Sequence, residues 1–503
     1  MFKNNPKLLR LIELMAFLIA FMIISSNLMN VLIIKGHSTE SRMYDVYEGY
    51  AHNTDVLFVG SSHAGQLVGR NLWRDYGVSS YTIAGNSQPV DVMYHSVVEF
   101  LRYEKPKVIA VETALIPDDN MEEPDTQYEG RIQNDASFRY SLNYLKMASE
   151  QIRNFKLPFK EDGVQLLYKW PLMHDRYKDL VKDDLVIDMP YLNSDTDPIY
   201  SVPEEEAQIV TSNERAPISS IGDEYLRKLI ALCQKENIPL VLFHTPYPAP
   251  EISLAQQNTI SDIAAENNVP FIDFNYLVDE IGFDVQTDQA KDLNHVNYQG
   301  AGKITDYLGR YLIENYGLED HREDPAYDNW NKDLDAWDDI QVTKELMEAP
   351  DIPTWSELFG NEYKNYVVII TLSGDYTSVQ GGTVQDILGR VSAPEGFYEK
   401  GGTLVLDHGN VLFYSGDEAT YVFTHKFENA IVSADRLMSN EEYMAQSDSD
   451  SRNDGIYIWC DNYIRTNNGL NVTIYNSSLD IVIDSIGIET GDENAVLIRE
   501  EDE

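Results

Sequence analysis

The sequence predicts an α/β fold, a parallel sheet covered by helices, followed by a second, β-rich domain. Three observations predict it. Short runs of β-branched, aromatic and other apolar residues at 56–59, 81–83, 108–111, 239–243 and 270–274 alternate with stretches of helical apolar spacing, the rhythm of strand, helix, strand. Beyond Tyr363 the helical spacing gives way to strand-like runs separated by Gly, Asn and Asp, as in compact β domains. A chain of 503 residues with 43% apolar content also has enough material for more than one core.

Composition narrows the function classes. Lys and Arg number 38 against 83 Asp and Glu, a formal net charge of −45. Phosphate backbones are held by clustered cations, so nucleic acid is a poor partner. High acidity speaks for solubility and names no substrate. The two cysteines, Cys233 in a helical stretch and Cys460 in a strand-like one, read as buried thiols and not as a disulfide framework. No paired-cysteine zinc spacing occurs, and no metal or cofactor is expected.

The chain opens with an almost unbroken apolar stretch at 11–34, preceded by Lys3, Lys7 and Arg10. As a helix it would span roughly 36 Å, enough to cross a bilayer with some tilt. The preceding cations orient the amino terminus to the cytoplasm and export the rest. The run is long for a signal peptide and lacks a small-x-small site after it, so an uncleaved anchor is the preferred reading. The expected organisation is a cytoplasmic segment at 1–10, a transmembrane anchor at 11–34 and a linker at 35–52. An α/β domain follows at 53–316, with a tyrosine-rich, partly helical insertion at about 120–215. An acidic linker at 317–362, a β-rich domain at 363–490 and an acidic tail at 491–503 complete it.

The first strand runs into Gly60-Ser61-Ser62-His63. A serine in a turn between strand and helix stands at the carboxyl edge of the sheet, where backbone N–H groups can hold developing negative charge. His63 is a poor base for Ser62, because neighbouring side chains in such a turn diverge. The second strand ends in Ala84-Gly85-Asn86, the third in Glu112-Thr113, and the fourth in His244-Thr245-Pro246. Far along the chain, Asp292-Leu293-Asn294-His295 leads into a helix. An aspartate three residues before a histidine can fix the imidazole tautomer and leave its second nitrogen free for a serine hydroxyl. His63, His174 and His244 are candidate substrate contacts, with His174 equally readable as a packed histidine beside aromatics.

These motifs resemble the SGNH/GDSL hydrolase superfamily over about residues 53–316. Gly60-Ser61-Ser62 is similar to its first block, with Ser61 in place of the usual aspartate and Ser62 as nucleophile. Gly85 is similar to the second-block glycine, and Asp292 and His295 to the fifth-block pair. The third block departs: Glu112-Thr113 stands where Gly-x-Asn-Asp is expected, leaving Asn86 as a substitute side-chain donor. The resemblance implies a flavodoxin-like, three-layer α/β/α domain and a Ser62-His295-Asp292 triad. It further implies an oxyanion hole from the N–H groups of Ser62 and Gly85. It is nearest to membrane-anchored members such as the D-alanyl transfer protein of teichoic acid modification and alginate-type O-acetyltransferases. Those imply acyl chemistry on cell-surface polysaccharide or a teichoic-acid-like polymer, with a membrane-bound acyltransferase as possible partner.

In the last third, the runs YVVIITL, TLVLD, VLFYS, TYVFT, GIYIWCD, LNVTIYN and DIVIDSIGI read as strands, with a helix near 384–390. The stretch from Gly469 to Ser485 is similar to the interleukin-like EMT-inducer domain, which implies glycan or protein binding. The acidic run at 448–455 contains Arg452 where a calcium loop needs an oxygen ligand, so it reads as a solvated loop. Two functions follow as expectations. One is a membrane-tethered serine esterase or O-acyltransferase. The other is a non-catalytic surface scaffold or glycan-binding protein of a polysaccharide assembly system.

Overall fold

The computed structural model describes residues 6–32, 52–117, 134–135, 138–159, 163–169, 174–178, 199–379, 382–391, 393–427, 430–445, 453–489 and 497–499, with residues 43, 46, 47, 49 and 180. Much of the expected insertion, most of the acidic run at 448–455 and most of the tail lie outside the described residues. The chain divides into two compact units, Met1–Leu334 and Asp335–Glu503.

The first unit is built on five parallel strands, β1 (Val56–Ser61), β2 (Ser80–Gly85), β3 (Val108–Glu112), β4 (Leu240–His244) and β5 (Phe271–Asp273), in the order β2-β1-β3-β4-β5. Both faces of the sheet are covered, which is why β1, β3 and β4 read as near-continuous apolar runs. Leu57, Val59, Ile109, Val111 and Leu242 pack on one face against Val92, Val97, Leu226 and Leu229 from the helices Val90–Phe100 and Ser220–Glu236. Val56, Phe58, Ala110, Val241 and Phe243 pack on the other against Leu72, Ile304 and Leu308 from the helices Gly69–Tyr76 and Tyr298–Tyr316. Strand order reverses direction at β1, and in open parallel sheets ligands bind outside the carboxyl ends at such a point. The mixed α/β expectation is therefore met.

A helix forms over Pro6–Leu32, where the anchor is expected. Many of its side chains are outside the described residues. Among the described residues, no helix is long and apolar enough to cross a membrane. Its last turns pack Met29 and Leu32 against Tyr140 and Leu180, whereas Ile12, Leu14, Met15, Phe17, Phe21 and Ile24 are exposed.

The expected acidic linker is ordered as two helices, Asp328–Glu348 and Ile352–Glu362. Their indoles supply the reason. Trp330 lies 5.8 Å from Trp73 in the first unit, and Trp355 stacks on Phe359 at 5.0 Å in the core of the second.

The second unit carries two antiparallel sheets. β6 (Val367–Ser373), β7 (Gly402–Asp407), β8 (Asn410–Tyr414), β13 (Gly469–Asn476) and β14 (Ile481–Glu489) form one, in the order β14-β13-β6-β7-β8. β9 (Tyr421–Lys426), β10 (Ile431–Arg436), β11 (Asp454–Ile458) and β12 (Asp461–Asn462) form the other, in the order β12-β11-β10-β9. Val367, Ile369 and Val405 meet Val432, Ile456 and Ile458 between them. The expected helix forms at Thr383–Arg390. Two local readings need correction. β10 is a strand that the sequence reading passes over, and Cys460 is exposed, because the chain leaves β11 through Trp459 in the left-handed region (φ 56°) and turns outward. Cys233 is buried as expected.

Candidate active site

Gly60 and Ser61 close β1, and the chain turns at once into the short helix Ser62–Gly65. Ser61 makes that turn: its Oγ accepts the His63 N–H at 3.4 Å, an N-terminal cap that polar short side chains provide. The turn also needs Gly60. A Cβ there would lie 2.6 Å from the Ala64 Cβ and 2.8 Å from the Glu112 Cβ. Gln88 ties the neighbouring strand ends together, its Nε2 donating to the Gly60 carbonyl at 3.0 Å.

The second half of the site is a loop held from beneath. Asn297 caps the helix Tyr298–Tyr316 by accepting the N–H groups of Gln299 and Gly300, and its Nδ2 donates to the Thr287 carbonyl at 2.8 Å. Lys303 Nζ reaches the buried Asp288 carboxylate and the Gly282 carbonyl. The Ala290 N–H donates to the His295 carbonyl at 2.8 Å and the Leu293 N–H to the Ala290 carbonyl at 3.0 Å. Leu293 closes this turn with φ 60°, a conformation costly for a side chain with a Cβ. Backbone strain is thus stored between Asp292 and His295.

The two halves meet. Ser62 Oγ lies 2.8 Å from His295 Nε2, and His295 Nδ1 lies 2.6 Å from Asp292 Oδ2. Asp292 Oδ1 accepts the N–H groups of Asn294 and His295, both at 3.0 Å. Burial pushes the Asp292 carboxyl up, but the His295 N–H, its imidazole and the Asn294 N–H outweigh it and hold the group below its ordinary range. An ionised Asp292 at Nδ1 fixes the tautomer with Nε2 as acceptor, so the Ser62 hydroxyl can donate to it.

The other candidates fall in different places. His63 turns away from Ser62, with Nδ1 3.1 Å from Thr245 Oγ1. Its ring stands 5.0 Å from that of His295 and 5.3 Å from that of Tyr247. Burial, with the neighbouring His295 and His244, pushes it down to about 3, so it stays neutral. His244 is fully buried, its Nδ1 3.1 Å from Asp273 Oδ1, which removes it from direct substrate contact. Burial lowers its affinity for a proton, yet Asp273 and Glu112 together raise it. His174 begins the short helix His174–Lys178, whose Arg176 Nη1 donates to the Leu32 carbonyl at 2.9 Å; the His174 side chain is outside the described residues.

Glu112, the departure in the third block, is fully buried, with Oε1 accepting the Ala114 N–H at 2.9 Å and Oε2 without a partner. Burial pushes it up to about 7. The structure also brings in a residue the sequence reading missed. Gly85 pairs in register with Ser61, and the Asn134 amide rests on it: a Cβ on Gly85 would lie 1.8 Å from Asn134 Oδ1. Asn134 Nδ2 donates to the Asn86 carbonyl at 3.0 Å, while Asn86 itself is exposed. No sequence signal marked it: Asn134 lies in the polar insertion, with no spacing that ties it to Gly85. Among the described residues, no group of acidic, histidine or cysteine side chains is arranged to hold a metal ion.

No family model matches the chain, and no curated protein matches it. Among solved structures it is similar to a protein from Desulfitobacterium hafniense DCB-2 described as lipolytic and of the G-D-S-L family. That likeness has 11% identity over 52% of this chain and 100% of the other, with TM-score 0.27. It is also similar to a gut microbial diltiazem-metabolizing enzyme, at 10% identity over 77% of this chain and 57% of the other, with TM-score 0.20. At these TM-scores neither likeness bears on function.

Proposed function

We propose that this chain is a serine esterase or O-acyltransferase in which Ser62 is the nucleophile, His295 the general base and acid, and Asp292 the orienting carboxylate. The observation that carries this reading is the continuous contact from Ser62 Oγ to His295 Nε2 and from His295 Nδ1 to Asp292 Oδ2, at 2.8 and 2.6 Å. Ser62 Oγ forms a bond to the ester carbonyl carbon while its proton passes to His295 Nε2. The imidazolium, held by ionised Asp292, returns that proton to the leaving alcohol. In this reading the N–H groups of Ser62 and Gly85 hold the developing oxyanion, while Asn134 braces Gly85 with its Oδ1 and donates its Nδ2 to the Asn86 carbonyl. Water or a sugar hydroxyl, deprotonated by His295, then takes the acyl group.

In its full form the proposal places the protein outside the cytoplasmic membrane, tethered by its first helix. There it acts on cell-surface polysaccharide or a teichoic-acid-like polymer, with a membrane-bound acyltransferase as the source of acyl groups. The second unit, in this reading, binds glycan or protein. Labelling with a serine-reactive fluorophosphonate tests the chemistry. Labelling that disappears in Ser62→Ala supports it, and wild-type protein that stays unlabelled while retaining glycan would make the chain a binder. Product analysis with and without an acceptor sugar separates hydrolase from transferase.

A further inference from the structure

Lys169 is 2% exposed. Its Nζ donates to the Asp135 carbonyl at 2.7 Å and the Phe138 carbonyl at 2.6 Å, and stands 4.2 Å from the centre of the Tyr144 ring. The Asp135 carbonyl is shared, since it also accepts the Phe138 N–H at 3.2 Å. One ammonium thus gathers two backbone carbonyls three positions apart in the chain. The residues around this contact are packed: Phe138 and Tyr144 are each 1% exposed, the Lys169 N–H donates to Tyr140 Oη at 2.7 Å, and Gln151 Nε2 donates to Asp135 Oδ1 at 3.4 Å. Asn134, the residue immediately before Asp135, is the one whose amide covers Gly85.

A buried ammonium is expensive to desolvate, and burial pushes this one down, against the pull of Asp135. An apolar side chain of the same length would fill the space at lower cost. What it would not do is draw two carbonyls to one point. Asn134 braces the end of β2, its Oδ1 on Gly85 and its Nδ2 on the Asn86 carbonyl, and reacting groups displaced by about 1 Å lose rate steeply, so a cation spent on fixing the neighbouring backbone has a functional address.

We propose that Lys169 is a positioning residue, whose buried ammonium ties the Asp135 carbonyl to the Phe138 carbonyl and so holds the neighbouring Asn134 amide against Gly85 in the strand end paired with Ser61. The inference rests on the hydrolase reading for its consequence, and on the hydrogen bonds alone for its structure. Among the contacts described, none joins Lys169 to Ser62 or His295, and its proposed effect on them passes through Asn134.

The test is a double-mutant cycle on the full chain with Lys169→Met and Asn134→Ala, read by hydrolysis of a p-nitrophenyl ester and by backbone hydrogen exchange at 134–138. Misplacing the reacting groups by about 1 Å lowers the rate on the order of 100-fold. Lys169→Met is expected to lower kcat about tenfold or more with KM within about twofold, and to add nothing in the Asn134→Ala background. Exchange should quicken at 134–138 and not in the central strands. Losses that multiply in the double variant, or unchanged kcat with unchanged exchange, would overturn the proposal. Should Lys169→Met fail to fold, Lys169→Gln, which keeps one donor, is read the same way. If wild-type protein hydrolyses no ester and takes no fluorophosphonate, the hydrolase reading falls by itself, and the exchange comparison still decides whether Lys169 holds this backbone.

Discussion

Ser62 Oγ and His295 Nε2 stand 2.8 Å apart at a separation of 233 positions in the chain. Only the sheet joins them, since Ser62 follows β1 and His295 is delivered by the loop beyond β5. Chemistry that depends on this contact should therefore respond to changes in the loop as strongly as to changes in the serine.

Asp292→Asn is the first such change. The amide keeps the size of the carboxylate but loses its charge and can select the wrong imidazole tautomer. Ester hydrolysis should fall by roughly 100- to 10,000-fold with KM little altered. A loss under about twofold would mean that Asp292, which is 48% exposed, does no more than cap its own turn.

Gly60→Ala should fail sterically. The new methyl would meet Ala64 and Glu112 Cβ atoms at 2.6 and 2.8 Å, both on backbone that cannot easily retreat. Overpacking of this kind costs about 1–3 kcal/mol, visible as a lowered thermal midpoint. A midpoint equal to that of the wild type would show that the strand end is looser than its contacts indicate.

Glu112 gives a pH signature of definite sign. Burial raises its folded-state value to about 7, above that of the unfolded chain. Between the ordinary carboxylate range and pH 7 the folded state keeps a proton that the unfolded state has released. Stability from this group is therefore full at the acid end and declines as pH rises through 7, by about 3 kcal/mol in all. Glu112→Gln should remove that slope and be more stable than wild type at pH 8. Parallel pH profiles for the two proteins in denaturant titrations would contradict the assignment.

In the second unit, Arg436 Nε meets Asp454 Oδ1 at 2.6 Å, its Nη2 donates to the Leu372 carbonyl at 2.8 Å, and both charged groups are buried. Arg436→Met strands a carboxylate and should cost about 3–5 kcal/mol. Adding Asp454→Leu should recover much of that loss, because the pair is costly to break and cheap to replace. Absence of recovery would mean that Ser373, whose Oγ donates to Asp454 Oδ2 at 2.7 Å, needs that acceptor for itself.

Much of this architecture can be read from the chain because burial on both faces leaves an unmistakable mark. The five parallel strands carry short apolar or β-branched runs, and the turn after each is a change of composition. The helix Gly69–Tyr76 escapes such reading, because only Leu72 and Trp73 among its large side chains are buried apolar groups. β10 escapes for a related reason: its IVSADR run mixes apolar residues with a buried arginine. Ser62, Asp292 and His295 are legible as motifs, since their spacing is local. Asn134 is not, because its place beside Gly85 comes from the folded chain, and no spacing rule links those positions. Glu112 reads as a gap in a pattern, whereas folding makes it a buried acid with one oxygen unpartnered.

The unequal fates of the two cysteines have a practical corollary. Cys233 is enclosed in its helix while Cys460 sits in the open between β11 and β12. A maleimide dye added to native protein should therefore attach at a single point, giving a fluorescent handle on the second unit without engineering any residue near Ser62.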